Sequence, residues 1–516
     1  MSAAIPSGSE RAPPSGPSDL RDEGAGGSIA ASAIRASIWV VAGYGSGQLL
    51  RFVGNVILAR LLFPDVFGLA SLVFVFLTGL QMFSDVGSGP AIVQSARGDD
   101  PGFLNTAWTI SCVRGVVLWG GACVLAHPLA SFYGQPLLAQ IMPVAGLQAA
   151  LGGFEATSLH EAQRHLRAQA VTFVELAAQA ATIASSIVLA LIWRPLHPGN
   201  DLGSVWAVIW GVLIGSVTRL VLSHVAVRGT RNRLHLEREA ASQLLGFGRW
   251  VFLSSMLTFL AAQSDRLLLG KMIPLELLGV YGIAINLALL ATQAVQKVGG
   301  LVLFPAYSRL AAKGELPQAF PRARLPLLVG GALVVSGFVA CGPSLIQLLY
   351  DSRYVQAGWM LQVLAATAWF QVLDATYTAG LLAQRRLKWM TASSAAKLIG
   401  LIVLLPLGMH LDGFRGALLG LVLSDVVKYL ISTIGASLGG LKGIGQDLLQ
   451  SGLILATSCA GILVVGALER TFHARVAAFL GAGLVITSAW AVVALVLLRR
   501  RGPVRPGAEW TTSVPP

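Results

Sequence analysis

The stretch Ala59-Arg60-Leu61-Leu62-Phe63-Pro64-Asp65-Val66-Phe67-Gly68 decides the architecture, because it returns as Gly270-Lys271-Met272-Ile273-Pro274-Leu275-Glu276-Leu277-Leu278-Gly279. Each copy opens small then basic, runs through four mostly apolar positions to an acid, and ends on two apolar residues and glycine. The offset from Gly68 to Gly279 is 211 residues. Two further matches follow in order. Phe132-Tyr133-Gly134 stands opposite Leu349-Tyr350-Asp351 at an offset of 217, and Ala162-Gln163-Arg164-His165-Leu166-Arg167 opposite Ala383-Gln384-Arg385-Arg386-Leu387-Lys388 at 221. One such match arises by chance. Three in the same order mark a duplicated chain whose loops have drifted in length.

Apolar runs surround these segments. They fall near 36–58, 66–86, 106–126, 138–158, 170–193, 204–224, 247–269, 278–303, 325–348, 358–382, 389–409, 414–434, 450–467 and 475–498. Each is long enough to cross a ~30 Å hydrocarbon core as a helix. The predicted fold is an all-α polytopic membrane protein of about fourteen spans. The repeats follow spans one and seven, three and nine, four and ten, so the chain divides into two six-helix lobes plus two C-terminal helices. Six is even, so both lobes enter the membrane from the same side, a parallel repeat about an axis along its normal. The expected organisation is a disordered tail over 1–33, an N-lobe over 34–226, a linker over 227–246, a C-lobe over 247–436, two extra spans over 437–498 and a tail over 499–516.

Composition agrees. Of 516 residues 55% are hydrophobic and 12% charged, half of the ~25% charge of soluble domains. The net charge of +13 is scattered over short loops, which argues against a nucleic-acid partner. Arg164, Arg228, Arg231, Arg309, Arg322, Arg324, Arg385 and Arg386 crowd one set of loops, whereas the opposite set holds few basic residues. The positive-inside rule therefore places both termini in the cytoplasm. No apolar signal segment precedes the first span, as a cytoplasmic N-terminus requires. Cys112, Cys123, Cys341 and Cys459 lie in apolar runs without metal spacing, so they read as packing residues, and no cofactor or metal is expected.

Charge inside the membrane is costly. Arg51, Arg114, Glu155, Glu175, Asp265, Arg266, Lys297, Asp374, Lys397, Asp425 and Lys428 fall within the spans. Facing lipid they would cost roughly 30 kcal/mol together. Helical spacing gathers several onto single faces: Tyr44, Gln48, Arg51 and Asn55 on span one, Asn286, Gln293 and Lys297 on span eight, Thr367, Gln371, Asp374 and Thr378 on span ten. Such faces line a wet cavity. Glu155 and Asp374 correspond across the repeat, as do Glu175 and Lys397 with reversed sign. Asp425 and Lys428, three apart, read as a structural ion pair, and Arg114 as a side chain that snorkels. Gly43-Tyr44-Gly45-Ser46-Gly47 lies inside a span and reads as a close-packing site rather than a phosphate loop.

Leu58 to Gly68, then Phe83-Ser84-Asp85-Val86-Gly87 and Ala91-Ile92-Val93-Gln94, resemble bacterial O-antigen and exopolysaccharide flippases, a polysaccharide-transporter family within the superfamily of multidrug and oligosaccharidyl-lipid exporters. So does Ser264-Asp265-Arg266-Leu267-Leu268-Leu269-Gly270 leading to Leu278-Gly279-Val280-Tyr281. The resemblance implies a V-shaped pair of lobes in the bacterial inner membrane. It implies a polyprenyl-pyrophosphate-linked oligosaccharide as substrate, turned from inner to outer leaflet, with membrane lipid, a polymerase and glycosyltransferases as partners. Under it, Arg51, Lys297 and Lys397 meet the anion, and Gln48, Asn55, Asn286, Gln293 and Gln371 meet the sugar. Asp374 and Glu155 are the candidates for coupling to an ion. The competing expectations are a multidrug extruder of the same fold and a membrane glycan polymerase or ligase; the second lacks a long acidic outer loop.

Overall fold

The computed structural model describes residues 22–83, 88–196, 201–472 and 475–499, and among them there is no strand. The motif residues Ser84-Asp85-Val86-Gly87 and the outer parts of both expected tails lie outside the described residues.

The N-lobe comprises α1 (Asp22–Leu61), α2 (Pro64–Phe83), α3 (Ser88–Gln94), α4 (Pro101–Tyr133), α5 (Leu137–Gly153), α6 (Ser158–Arg164), α7 (Ala168–Leu196) and α8 (Val205–Val225). The C-lobe repeats it with α9 (Arg238–Met272), α10 (Leu275–Val298), α11 (Phe304–Ala312), α12 (Leu316–Ala323), α13 (Leu325–Leu349), α14 (Ala357–Ala383) and α15 (Leu387–Ser437). Helices α16 (Ile444–Phe472) and α17 (Arg475–Arg499) pack on α13. Local chemistry sets the ends. Pro64 and Pro101 open their helices where no backbone N–H is needed. Asp100 accepts from Gly102 N at 3.0 Å, and Gly134, with φ +66°, closes α4 in the left-handed conformation.

Among the described residues, eight helices are long and apolar enough to cross a membrane, or nine if α5 and α6 form one bent span. Leu411, Leu448, Leu463, Leu484 and Val225 are each at least 70% exposed, a surface suited to lipid rather than water. The chain is a multi-pass membrane protein.

Three details differ from expectation. Helix α1 starts at Asp22, inside the expected tail, and α9 starts at Arg238, inside the expected linker. The long element α15 breaks at Asp412 and Gly413, the glycine at φ +55°, and so keeps spans eleven and twelve separate as expected. Span four is broken between α5 and α6, which meet at 55°. The third repeat has a different register. Leu166 and Arg385 hold the same left-handed turn, with φ 55° and 58°, an offset of 219. The offset keeps Glu155 opposite Asp374 but puts Ser394, not Lys397, opposite Glu175.

The lobes grip each other reciprocally where the repeat segments meet. Arg60 donates to the carbonyls of Leu349 at 2.8 Å and Leu348 at 3.0 Å, the free C-terminal end of α13. Its repeat partner Lys271 donates to the Phe132 carbonyl at the end of α4. A Cβ on Gly68 would lie 2.1 Å from the Leu275 carbonyl oxygen, and one on Gly279 would lie 1.9 Å from that of Pro64. Helices α2 and α10 therefore cross backbone to backbone, and glycine is required at both positions. The basic residue of each repeat neutralises the negative end of the other lobe's third span.

On the opposite face the linker straps the N-lobe. Thr230 donates to Glu161 at 3.1 Å, Asn232 donates to Thr157 Oγ1 at 2.7 Å, and Arg233 N donates to Asn105 at 2.9 Å. Arg97 pairs with Glu237 at 2.8 Å. It also bonds Asp100, and that guanidinium holds the Asp100 carboxyl below the usual range. His165 and Arg164 do the same for Asp99.

Candidate functional site: a cationic cavity in the N-lobe

Helices α1, α2, α4, α5, α7 and α8 surround a cavity of about 1120 Å³. Its wall exists because α1 packs on α7 through small residues. A Cβ on Gly43 would lie 2.3 Å from Thr172, and one on Gly54 would lie 2.8 Å from Ile183. Gly43 and Gly54 are packing positions, and Tyr44, Gln48, Arg51 and Asn55 beside them line the cavity. Gly211 and Gly215 bring α8 onto Ser186 and Thr182 of α7 in the same way.

The cavity holds Arg51, Arg114 and Arg219 against Glu155 and Glu175, a surplus of one positive charge. Glu155 sits at the break between α5 and α6 rather than within a helix. Its Oε2 lies 3.2 Å from Arg219 Nε. Arg114 lines the cavity instead of reaching out of the membrane.

Gln48, Arg51, Asn55 and Glu155 thus come together as expected. Asn286, Gln293 and Lys297 lie across the gap between lobes, exposed on α10. Gln48 donates to Gln293 at 2.6 Å, and the Lys297 ammonium lies 5.4 Å from the Tyr44 ring centre. Asn286 accepts from Arg266 at 2.8 Å. The pseudo-equivalent crossing is apolar: Phe259, which the 211-residue offset sets opposite Gln48, packs into Gly79 at 2.8 Å from where its Cβ would be. One seam between the lobes is therefore closed by an aromatic ring, and the other by two amides and a cation–π contact.

Gln371, Asp374 and Lys397 do not line this cavity. They form a separate cluster inside the C-lobe. Lys428 pairs with Asp374 at 2.9 Å, and Lys397 with Asp425 at 2.6 Å. Ser432 donates to Asp374 at 2.6 Å and Gln371 to Asp425 at 3.2 Å. The expected Asp425–Lys428 pair does not form. Each carboxylate instead takes an ammonium from another turn or helix, so all four charges are satisfied at once. This C-lobe cluster neutralises itself, and the N-lobe cavity does not.

Residues 57–323, more than half of the chain, match the model of the polysaccharide biosynthesis protein family. The chain belongs to that family. Among its relatives, the lipopolysaccharide biosynthesis protein WzxC of Escherichia coli (strain K12) is 22% identical over 392 residues, covering 74% of this chain and 76% of WzxC. The succinoglycan biosynthesis transport protein ExoT of Rhizobium meliloti (strain 1021) is 25% identical over 320 residues, 61% of this chain and 62% of ExoT. The fold matches the lipid II flippase MurJ in an inward closed conformation with a TM-score of 0.69 at 12% identity, covering 90% of this chain and 99% of MurJ. It matches an inward-facing multidrug resistance MATE transporter with a TM-score of 0.59 at 15% identity, covering 76% of this chain and 94% of that one.

Sequence reasoning missed two groups in this family member. Arg219 lies within the run 204–224 and was legible there as an intramembrane charge. Arg324 reads as an inner-loop cation, yet it is fully buried, with Nη2 2.6 Å from Asp447. Nothing in its spacing marks that partner, because α16 meets it only through tertiary packing.

Proposed function

We propose that the protein is a flippase, a transporter and not an enzyme. It moves a polyprenyl-pyrophosphate-linked oligosaccharide from the inner to the outer leaflet of the bacterial inner membrane for polysaccharide synthesis. The observation that carries this reading is the cationic surplus of the N-lobe cavity. A pyrophosphate wants fixed guanidinium groups, and Arg51, Arg114 and Arg219 supply them. Gln48, Asn55, Gln148 and Gln179 supply sugar partners on the same wall. The amide-closed seam between α1 and α10 opens more readily than the Phe259 seam, and gives a lipid-linked substrate a lateral entrance beside Gln48. The coupling carboxylate is Glu155, since it and its arginine partner line the cavity, whereas Asp374 and Lys428 do not.

Loop charge puts the Arg60–Lys271 clasp on the periplasmic face and both termini in the cytoplasm. The clasped state is then closed outward, and rocking of the lobes about α2 and α10 alternates access. An extruder of cationic drugs fits less well, because a surplus of arginine repels such cargo.

Arg51→Ala should lower export about ten- to hundredfold, the worth of one or two charge-assisted bonds, at an unchanged amount of folded protein. Polymer yield normalised to membrane protein measures it. Unchanged yield would remove the anion site from this wall.

A further inference from the structure

We propose that Glu155 holds Arg219 in reserve: a pyrophosphate entering the cavity takes over the arginine, and Glu155 takes up a proton from solvent. The inference rests on the reading of the cavity as an anion site and adds what that site exchanges.

The geometry suits an exchange. The closest approach of Glu155 to Arg219 is Nε to Oε2 at 3.2 Å, with the arginine 45% and the carboxylate 20% exposed. Arg219 lines the cavity, where a phosphate can engage two of its N–H groups at once. Glu155 belongs to no helix, since it stands in the break between α5 and α6, so its side chain can part from α8 without moving a span.

The charges require it. With both glutamates ionised the cavity carries a surplus of one, whereas a pyrophosphate diester brings two negative charges. One proton on Glu155 makes the balance even. The groups that face Glu155 are Arg219 and His224 of α8 and Glu175 of α7, with Arg114 of α4 and Arg51 of α1 on the same cavity. Once the anion holds Arg219, Glu155 is left between Glu175 and the incoming phosphate, and both disfavour its charge. Nothing covalent changes: one proton moves from water to the carboxylate, and the anion replaces it on the guanidinium. Binding should then tighten as pH falls, because the bound state holds the extra proton.

The test is calorimetric titration of the full-length protein in lipid nanodiscs with farnesyl pyrophosphoryl glucose, a pyrophosphate diester, in two buffers of different ionisation enthalpy. Wild type should take up about one proton more per ligand than Glu155→Gln. Glu155→Gln, with Arg219 already released, should bind more tightly than wild type at neutral pH. Arg219→Gln removes the exchange from the other side; it should bind more weakly and show the proton count of Glu155→Gln. A purely structural Glu155 would weaken binding on substitution and leave the proton count alone. Equal proton counts in wild type and Glu155→Gln would overturn the exchange and leave the anion site standing. No binding of farnesyl pyrophosphoryl glucose to wild type would overturn both.

Discussion

Arg324→Met should destabilise the C-lobe by about 3–5 kcal/mol, the cost of leaving one partner of a buried ion pair behind. Arg324 has no exposed surface and Asp447 is 2% exposed. Tyr377 and Tyr429 donate to the same Asp447 oxygen at 2.6 and 2.8 Å. The guanidinium also lies 4.4 Å from the Tyr377 ring centre, a contact that adds to the loss. Asp447→Asn should cost a similar amount by stranding the arginine, since its remaining amide oxygen can still accept from the phenols. The double variant Arg324→Met with Asp447→Asn should recover most of the loss, because neither charge is then buried alone. Thermal unfolding of the purified protein, read as a double-mutant cycle, measures this. Additive losses would mean that the two residues do not act as a pair. The pair ties the N-terminal end of α13 to α16, so its loss should release the last two helices first.

Gly279→Ala and Gly68→Ala should each open the outer face and lower export by about tenfold or more. An alanine Cβ would lie 1.9 Å from the Pro64 oxygen in the first case and 2.1 Å from the Leu275 oxygen in the second. Both contacts are to backbone, which cannot rotate away. Overpacking of this kind costs about 1–3 kcal/mol, here paid by the clasped conformation alone, and shifts a two-state population by roughly five- to 150-fold. The two variants should behave alike, since the repeat makes their sites equivalent. A cysteine at Ala59, fully buried between the lobes, introduced after the four native cysteines are replaced, reports the change. Its labelling by a membrane-impermeant maleimide from the periplasm should rise in both variants. Labelling that stays at the parental level would show that the glycine crossing does not set the closed state.

Much of this molecule was legible in its sequence. Three ordered matches were enough for two lobes and a parallel repeat, because apolar run length and loop chemistry are local properties. Arg51 and Glu155 could be placed on a cavity for the same reason: a charge in a span has few alternatives. What local pattern could not supply was the choice of partner. Asp425 and Lys428 sit three apart on one helix, yet each found a better neighbour on a helix that sequence spacing does not see. Asp374 and Glu155 occupy equivalent positions. One has Lys428 within reach and is neutralised inside the lobe; the other sits where span four breaks and meets an arginine that also faces the cavity. The break itself follows Gly153, where a Cβ would lie 2.5 Å from the Ser111 carbonyl oxygen of α4, a tertiary cause that periodicity does not register.

The most direct test of the flippase reading is the sidedness of the lipid-linked repeat unit in cells lacking this protein. A lectin or glycosidase that cannot cross the membrane, applied to intact spheroplasts, reads only the outer leaflet. The glycolipid should accumulate out of its reach and become accessible when the wild-type protein is restored, but not when Arg51→Ala is supplied. Full accessibility in cells without the protein would contradict the reading and move its function to a step after translocation.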